Sequence, residues 1–426
     1  MKKACVIGLG YVGLPLACLL ARKGFEVSGL EVSDEIVEKT NSGISHIEDE
    51  FLAKEVREVK GKLKATTNAA EALKNADVVA VCVPTPVDKQ FLPDLEALKS
   101  ACVSIAENLR KGMLVIIEST IYPGTTEEIA QPILEKSGLK AGVDFFLAHC
   151  PERIDPGNRK WRLPQIPRVV GGVNKESVRL AGIFYGQIID APVKELRSVR
   201  SAEAAKIVEN TFRDINIAFV NELAKSFDVL NIDVKEVIEA ASTKPFGFMP
   251  FYPGPGVGGH CIAVDPYYLI AKAKQSGFDH KFLRLAREIN DSMREYVVEL
   301  AVEGLNALGK SLKDAKIAFL GIAYKPDVDD TRESPALYII PLLRKKGAVL
   351  RIFDPHIEAL SNVESLEAAL EGADAIIVAT SHKEFLQALT PEFVRKKKIG
   401  FFLDCRNAFD KVAFKKAGIA FKGIGC

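Results

Sequence analysis

The feature that most constrains this chain is a glycine-rich turn near its start. An apolar run at 4–7 is followed by Gly8, Gly10 and Gly13, and the apolar residues after them recur at helical spacing. A strand, a glycine turn and a helix in this order are typical of a unit that binds a dinucleotide. Gly8 permits the tight turn, Gly10 lets the backbone approach a pyrophosphate, and Gly13 lets the helix pack closely on the strand. The helix N-terminus adds partial positive charge.

An acidic residue at the end of the next predicted strand narrows the identity of the dinucleotide. Glu31 stands where a carboxylate accepts hydrogen bonds from ribose hydroxyls and repels a 2′-phosphate. The sequence therefore predicts NAD, and not NADP, as the cofactor. The alternative, glycines that serve packing alone, leaves this carboxylate unexplained. Tyr11 and Val12 lie within the turn, and we expect both to contact the cofactor.

The order of predicted elements divides the chain into three parts. Up to residue 198, strand-like runs alternate with helical segments, which predicts a parallel sheet with right-handed crossovers. The central part is helical throughout, and strands and helices alternate again after a degenerate glycine turn at Gly321. We predict an α/β fold in which two doubly wound parallel-sheet, Rossmann-like domains, at 1–198 and 311–426, are joined by an all-helical domain at 199–310.

Composition excludes several classes of partner. The 426 residues include 57 lysines and arginines against 56 aspartates and glutamates, and the net charge of +1 predicts neither nucleic acid nor an anionic membrane as partner. No apolar run approaches the roughly 18 residues that span a bilayer, so we expect a soluble protein without a membrane anchor. The eight cysteines are scattered without paired spacing, which predicts reduced thiols and a cytoplasmic location.

The most unusual stretch is the glycine-rich segment at 254–261, which ends in Cys261. Its glycines allow the backbone to wrap closely around a polar ligand, and its flanks are not an apolar strand, so a buried core cysteine is the less favoured interpretation. Zinc is a poor alternative, because His260 and Cys261 are adjacent and no second pair has metal-ligand spacing. We predict a nucleophilic thiolate and no metal site. The residues of this region that we expect to bind substrate are Tyr252, Gly256 and Gly258.

An NAD site combined with a reactive cysteine predicts oxidation through a covalent thioester. Loss of hydride from an alcohol gives an aldehyde, and the thiolate adds to it. A second hydride loss from the thiohemiacetal gives the thioester, which water releases as a carboxylate.

Further polar residues lie at predicted strand ends or on one helix face. Lys206, Asn210 and Arg213 share a face of the long central helix, where we expect them to contact the substrate. Ordinary turns and a solvated helix stripe are the alternatives. The strand-end residues are Pro84, Thr85 and Thr120, expected to contact the cofactor, and Glu152 and Arg153, expected to contact the substrate.

In their order along the chain, the motifs resemble those of the UDP-glucose/GDP-mannose dehydrogenase family over essentially the whole length. The matching segments are GLGYVGLPLA, VCVPTP, ESTIYPGTT, PERIDPGN, AEAAKIVENTFRDINIAFVNE, YPGPGVGGHCIAVDP and GIAYKPDVDDTRESP. The resemblance implies two successive NAD-dependent oxidations at C6 of a nucleotide-bound sugar. It also implies a C-terminal domain that binds the UDP of the substrate and a homodimer formed through the helical domain.

The resemblance further implies roles for individual residues. Cys261 matches the nucleophile, and Lys206 and Asn210 match the pair that stabilises a developing alkoxide. Cys150 stands where many members carry a small residue, and it is the alternative nucleophile. The other matches are Asp265 and Thr120, which hold the water, Glu152, the acid or base of hydrolysis, Lys325, a substrate contact, and Arg332, which reaches the cofactor region from the C-terminal domain.

Within the family, the segments at 152–158 and 243–248, with Ile166 and Pro167, are similar to the branch that acts on UDP-N-acetylhexosamines. We expect UDP-N-acetylglucosamine as substrate, with UDP-N-acetylmannosamine the close alternative and UDP-glucose a further one. Two rivals are weaker. A two-electron hydroxyacid dehydrogenase leaves Cys261 without a role, and a nucleotide-sugar-binding protein without catalysis conflicts with the intact set of catalytic positions.

Overall fold

The chain divides into two units. The computed structural model describes residues 2–88, 90–154, 160–259 and 261–426. Part of the predicted substrate-branch motif, 155–158, and His260 lie outside these residues. The first unit comprises Met1–Glu209 and Tyr267–Asp279, and the second comprises Asn210–Pro266 and His280–Cys426.

Within the described ranges, each unit contains one sheet. The strands are β1 (Lys3–Ile7), β2 (Glu26–Leu30), β3 (Leu63–Thr66), β4 (Val78–Val81), β5 (Leu114–Ile117), β6 (Phe146–His149), β7 (Arg168–Gly172), β8 (Val193–Glu195), β9 (Lys316–Leu320), β10 (Val349–Phe353), β11 (Ala375–Val378), β12 (Phe401–Asp404) and β13 (Ala420–Gly423). The first sheet has the order β3-β2-β1-β4-β5-β6-β7-β8, and the second has the order β10-β9-β11-β12-β13.

Helices cover the sheets and form the central region. They are α1 (Gly13–Arg22), α2 (Asp34–Ser42), α3 (Glu50–Glu58), α4 (Ala69–Leu73), α5 (Glu96–Glu107), α6 (Gln131–Leu134), α7 (Lys175–Gly186), α8 (Val199–Leu230), α9 (Val234–Ser242), α10 (Asp265–Gln275), α11 (Lys281–Asn306), α12 (Ala336–Lys345), α13 (Leu366–Leu370), α14 (Lys383–Ala388), α15 (Pro391–Lys396) and α16 (Lys411–Lys416). A π-helical segment at Thr126–Ala130 precedes α6.

Burial explains why the central strands are almost purely apolar. Every residue of β4 and β5 is buried, as is every residue of β11 and β12. Strands of a parallel sheet that is covered on both faces need apolar side chains on both sides, so their sequences form continuous apolar runs. The second unit adds a close contact, because a Cβ on Gly304 of α11 would lie 2.0 Å from the Phe401 ring of β12.

The predicted fold class is confirmed, with differences in detail. Both sheets are parallel, except that β6 and β7 pair antiparallel. The sequence pattern missed β3, β7, β8, β12 and β13, which are runs of five residues or fewer. The strands predicted at 78–83 and 114–119 end at Val81 and Ile117, and the residues beyond them form loops. The division at 198 and 311 stays a prediction. Among the described residues, no helix is long and apolar enough to cross a membrane.

Candidate functional site

The N-terminal glycine turn has the geometry that a bound dinucleotide requires. Gly8 adopts φ +85°, and a Cβ there would lie 2.8 Å from the Cys82 carbonyl oxygen. A Cβ on Gly13 would lie 1.8 Å from the Gly8 carbonyl oxygen, so only glycine lets α1 begin this close to the turn. A Cβ on Gly10 would meet no atom of the described residues within 4 Å. That open space is where a pyrophosphate would approach the backbone.

Glu31 lies directly after β2, and backbone groups fix its carboxylate. Oε2 accepts a hydrogen bond from the Leu9 N–H at 2.8 Å, and Oε1 accepts one from the Val32 N–H at 2.8 Å. The side chain is only half-buried, so its further acceptor positions can face ribose hydroxyls. Tyr11 is 39% exposed, and Val12 precedes the first residue of α1. These residues fit NAD.

Two predicted cofactor residues meet after β4 and β5. The Thr85 hydroxyl donates to the Thr120 carbonyl oxygen at 2.7 Å. The Tyr268 hydroxyl in turn donates to the Thr85 carbonyl oxygen. Pro84 is exposed beside them. These bonds join two loops at the carboxyl edge of the sheet, where open α/β sheets bind their ligands.

A buried carboxylate that the sequence analysis missed anchors the start of α8. Glu203 is 0% exposed, and it accepts hydrogen bonds from the N–H groups of Gly124 at 2.6 Å and Thr126 at 2.8 Å. Burial raises the pKa of Glu203, and its hydrogen bonds oppose the rise. Glu203 thereby fixes the part of α8 that carries Lys206 to the loop after β5. The Pro-Gly-Thr-Thr turn was a signal that backbone donors here need an acceptor.

Glu152 and Arg153 follow β6 and bind different partners. The Arg153 guanidinium forms two bonds with the Glu209 carboxylate, at 3.2 Å from Nε and 2.6 Å from Nη2. Glu152 is buried, and its Oε2 accepts a hydrogen bond from Arg168 Nη2 at 2.7 Å. The side chains of both predicted residues are therefore held by ion pairs within the first unit.

Burial distinguishes Cys261 from the other cysteines, six of which are buried and one of which, Cys426, is half-buried. Cys150 and Cys82 are buried, and burial raises the pKa of both thiols well above the ordinary value. Cys261 is exposed. Because the thiolate and not the thiol is the nucleophile, the surroundings of Cys150 oppose the role that the sequence left open for it.

The glycine-rich segment is held by residues of its own unit. Asn221 Oδ1 accepts a hydrogen bond from the Gly254 N–H at 2.9 Å, and the Gly259 N–H donates to the Arg332 carbonyl oxygen at 2.9 Å. Gly259 has φ +83°, and a Cβ there would lie 2.8 Å from the Tyr324 ring. Glycine is therefore required for the close packing that brings this segment against the loop after β9.

Cys261 opens the turn that leads into α10. Its carbonyl oxygen accepts hydrogen bonds from the N–H groups of Val264 at 3.2 Å and Asp265 at 2.9 Å. Cys261 thus lies four residues before Asp265, the first residue of the 11-residue helix α10.

Three predicted residues of the second unit form one hydrogen-bonded group. The Asn210 amide nitrogen donates to the Asp265 carboxylate, and the Arg213 guanidinium donates to the Asn210 amide oxygen. Asn210 is 1% exposed and Asp265 is 2% exposed. The pairing fixes which end of the Asn210 amide donates, as a role in stabilising an oxyanion requires.

The remaining predicted residues of the second unit are more exposed. Tyr252 is 50% exposed, and Lys325 is half-buried. Arg332 pairs with the Asp330 carboxylate, with distances of 2.6 Å from Nη2 and 3.0 Å from Nε. Of the glycines predicted to bind substrate, Gly256 is buried and Gly258 is half-buried.

A cluster of potential metal ligands at the second sheet had no sequence signal. Its ligand atoms lie within 4.8 Å of one another and belong to Asp327, His356, His382 and Glu384. The Asp327 N–H, however, donates to His382 Nδ1 at 2.9 Å, and Nε2 of the same ring lies 3.0 Å from the Asp354 carboxylate. Both ring nitrogens of His382 are thus engaged in hydrogen bonds.

The chain matches three domains of one protein family. The match covers the NAD binding domain of the UDP-glucose/GDP-mannose dehydrogenase family over residues 2–189, its central domain over 200–292 and its UDP binding domain over 318–411.

Relatives of known name match the chain over most of its length. A UDP-N-acetyl-D-mannosamine dehydrogenase of Pyrococcus horikoshii is 39% identical, and the alignment covers 99% of each chain. A UDP-N-acetyl-D-glucosamine 6-dehydrogenase of Pseudomonas aeruginosa is also 39% identical, over 92% of this chain and 93% of that protein.

A solved structure agrees with these matches. The structure of the UDP-D-ManNAc dehydrogenase of Pyrococcus horikoshii superposes with a TM-score of 0.93 at 40% identity, and the match covers 99% of each chain. The chain therefore belongs to the UDP-glucose/GDP-mannose dehydrogenase family and is an NAD-dependent nucleotide-sugar 6-dehydrogenase.

Proposed function

We propose that this enzyme oxidises C6 of a UDP-N-acetylhexosamine to the carboxylate through a thioester on Cys261. The observation that carries the proposal is the contrast among the thiols. Among the eight cysteines, all within the described residues, Cys261 alone is exposed, and it stands at the end of the glycine-rich segment before α10. Relatives that are 39% identical carry the names of UDP-N-acetylhexosamine dehydrogenases.

The first stage would convert the C6 alcohol into a thiohemiacetal. When bound, NAD accepts a hydride from C6 in each of two oxidations. Lys206 and Asn210 stabilise the negative charge that develops on the C6 oxygen, since a cation and an amide donor lower the energy of an alkoxide. Cys261 adds its sulfur to C6 of the aldehyde, and the carbonyl oxygen takes a proton.

The second stage would oxidise the thiohemiacetal and release the product by hydrolysis. C6 of the thiohemiacetal loses the second hydride and its hydroxyl loses a proton to solvent, which gives the thioester. Thr120 and Asp265 hold a water molecule, and Glu152 takes a proton from it as its oxygen bonds to C6 of the thioester. The tetrahedral species then collapses, the C–S bond breaks, and the Cys261 thiolate leaves the uronic acid. The buried carboxylate of Glu152, held by Arg168, is suited to such a fixed base.

The proposal covers both C2 epimers of the UDP-N-acetylhexosamine. The sequence predicts UDP-N-acetylglucosamine, whereas the relative that matches over 99% of both chains carries the mannosamine name. The two epimers differ only at C2, and a polar group left unpaired by the wrong epimer would discriminate strongly. Both UDP-sugars should therefore be assayed side by side, together with UDP-glucose.

The decisive experiment measures stoichiometry and compares two cysteine variants. The purified protein should form two NADH per UDP-N-acetylhexosamine without releasing aldehyde. A hydroxyl is far less ionised than a thiol at neutral pH, so Cys261→Ser should slow turnover by about 1,000-fold or more, while binding of UDP-sugar persists. Cys150→Ser should retain most of the turnover. A ratio of one NADH with free aldehyde, or an active Cys261→Ser beside an inactive Cys150→Ser, would refute the mechanism.

We also propose that the protein is a cytoplasmic homodimer. Val208, Phe212 and Phe219 on α8 are 55%, 45% and 54% exposed. They lie at helical spacing, and an exposed apolar stripe of this kind is typical of an interface. A two-fold interface buries the same stripe from both subunits. Light scattering at micromolar concentration should report a dimer, and Phe219→Ser should shift it toward monomer.

A further inference from the structure

A buried ionic network lies behind Glu152. Arg168, the first residue of β7, is 0% exposed, and it bonds the Glu152 carboxylate at 2.7 Å and the Glu118 carboxylate at 3.4 Å. The Tyr185 hydroxyl donates to the second oxygen of Glu118 at 2.5 Å, and the Arg168 guanidinium lies 5.5 Å from the Tyr185 ring centre. These residues belong to loops or elements at β5, β6, β7 and α7, all within the first unit.

The network fixes both oxygens of Glu152. While Oε2 accepts from Arg168 Nη2, Oε1 accepts from the N–H groups of Arg153 and Ile154, each at 2.6 Å. Arg168 Nη1 also lies 3.4 Å from the carbonyl oxygen of Pro151, the residue before Glu152. The guanidinium therefore holds both the side chain and the backbone of this loop.

The charges of the network determine where it can hold a proton. Two carboxylates face a single guanidinium, and the other titratable groups facing them are Tyr185 and the buried thiols of Cys82 and Cys150. Burial raises the pKa of Glu118, Arg168 opposes the rise, and Glu152 adds to it. With one proton on Glu118, the two carboxyl groups and the guanidinium together are neutral, and Arg168 keeps its 2.7 Å ion pair with Glu152.

We propose that Arg168 is a positioning residue that, together with Glu118 and Tyr185, keeps the Glu152 carboxylate oriented for the hydrolysis of the thioester. This inference rests on the proposed function, in which Glu152 takes a proton from water as the water oxygen bonds to C6. In this proposal, Arg168, Glu118 and Tyr185 form no bond with the substrate. They act through the geometry of Glu152.

Two variants of graded severity test the inference. Arg168→Lys keeps the positive charge but removes the fork that bonds two carboxylates at once. Tyr185→Phe removes a single hydroxyl, so it remains informative if Arg168→Lys fails to fold. Arg179→Lys is the matched control, because Arg179 lies on the same helix as Tyr185 and its ion pair with Glu176 is exposed.

The expected result is a specific loss of the hydrolysis step. Arg168→Lys should lower kcat about 10- to 100-fold and Tyr185→Phe about 3-fold, because a mispositioned base loses part of its catalytic contribution of roughly 100- to 10,000-fold. KM for NAD and UDP-sugar should stay within 3-fold of the unaltered enzyme. Mass spectrometry should find the covalent sugar adduct on Cys261 accumulating. Arg179→Lys should change none of these.

Glu152→Gln separates failure of the inference from failure of the proposed function. If Glu152→Gln neither slows turnover nor accumulates the adduct, the proposed role of Glu152 is wrong. If Glu152→Gln accumulates the adduct while folded Arg168→Lys and Tyr185→Phe do not, the positioning role is overturned. In the double variant Arg168→Lys with Glu152→Gln, the arginine change should add less than 2-fold, because its partner has already lost the charge. A full additional loss of kcat would also contradict the inference.

Discussion

The two sheets begin with the same local arrangement and use it differently. In the first, β1 leads into a glycine turn whose Leu9 N–H donates to the carboxylate of Glu31, the residue after β2. In the second, β9 leads into Gly321, and the next N–H, of Ile322, donates to the carboxylate of Asp354, the residue after β10. In the first sheet β1 lies between β2 and β4, and in the second sheet β9 lies between β10 and β11. The strand order reverses at β1 and at β9, and such a reversal opens a crevice at the carboxyl edge of the sheet.

The two carboxylates differ in how many of their acceptor positions the protein's own donors occupy. Glu31 is half-buried and accepts one N–H from its glycine turn. Asp354 is 0% exposed and accepts the N–H groups of Ile322 at 2.5 Å and Ala323 at 2.9 Å, with His382 Nε2 at 3.0 Å. The Asp354 carboxylate thus binds a second N–H of its turn, that of Ala323, in addition to the one that corresponds to the Leu9 N–H bound by Glu31. The shared topology does not itself make a site, and the residues at the strand ends decide.

The largest effect should come from adding a side chain to the glycine turn that follows β1. Gly13→Ala places a Cβ 1.8 Å from the Gly8 carbonyl oxygen, so the start of α1 must move. We expect destabilisation of the first unit by about 3 kcal/mol and loss of NAD binding, measured by thermal unfolding and calorimetric titration. Gly10→Ala is the matched control. It meets no described atom within 4 Å, so it should weaken NAD without changing stability. Equal stability of all three proteins would contradict the packing argument.

In the second sheet, where the Asp354 carboxylate fills the crevice, we expect substitution of Asp354 to lower the stability. Asp354→Asn turns one acceptor oxygen into a donor that faces other donors, and an unsatisfied buried group costs about 1–3 kcal/mol. Hydrogen exchange of peptides covering β9 and β10 should report this loss. Asp374→Asn is the control, since its carboxylate also accepts an N–H of the sheet, from Lys316 at 2.8 Å, but is partly exposed. If the two variants exchange alike, burial of Asp354 does not stabilise the crevice.

The same carboxylate predicts a dependence on pH. Burial alone would raise the pKa of Asp354, but the hydrogen bond with His382 and the N–H groups of Ile322 and Ala323 outweigh it and lower the pKa to about 2. The contribution to stability, about 2 kcal/mol, is present above the ordinary aspartate pKa of 3.8. It is lost as pH falls from there through about 2. In Asp354→Asn, acid unfolding of β9 and β10 should lose this component, and an unchanged pH profile would argue against it.

The comparison also marks what the sequence can and cannot reveal. The turn at Gly8 was predicted because strand, glycines and helix are consecutive in the chain, and Glu31 because a strand ends there. Asp354 follows its strand in the same way, yet its burial depends on His382, whose contribution requires a third strand to be placed. Arg168 was invisible for the same reason, since its partners Glu118 and Glu152 meet it only once the sheet has formed. Contacts between strands that are far apart in the sequence leave no local period or spacing by which they could be predicted.

The smallest expected effect is a change in the preference for NAD over NADP. A carboxylate facing a 2′-phosphate is a like-charge contact, so NAD should exceed NADP in kcat/KM by more than about 100-fold. Glu31→Gln should narrow that ratio about 10-fold, or 1.4 kcal/mol, because an amide no longer repels the phosphate. Steady-state kinetics with both cofactors measure the ratio. Asp34→Asn, an exposed neighbour in the first turn of α2, is the control.

Asp354→Asn completes the test, because it alters the corresponding position of the second sheet. It should leave the ratio of NAD to NADP unchanged, since its carboxylate is consumed by the protein's own donors. Equal use of both cofactors by the unaltered enzyme would refute the role of Glu31. A change of cofactor preference in Asp354→Asn would instead show that the filled crevice communicates with the open one, and the contrast drawn between the two sheets would then be wrong.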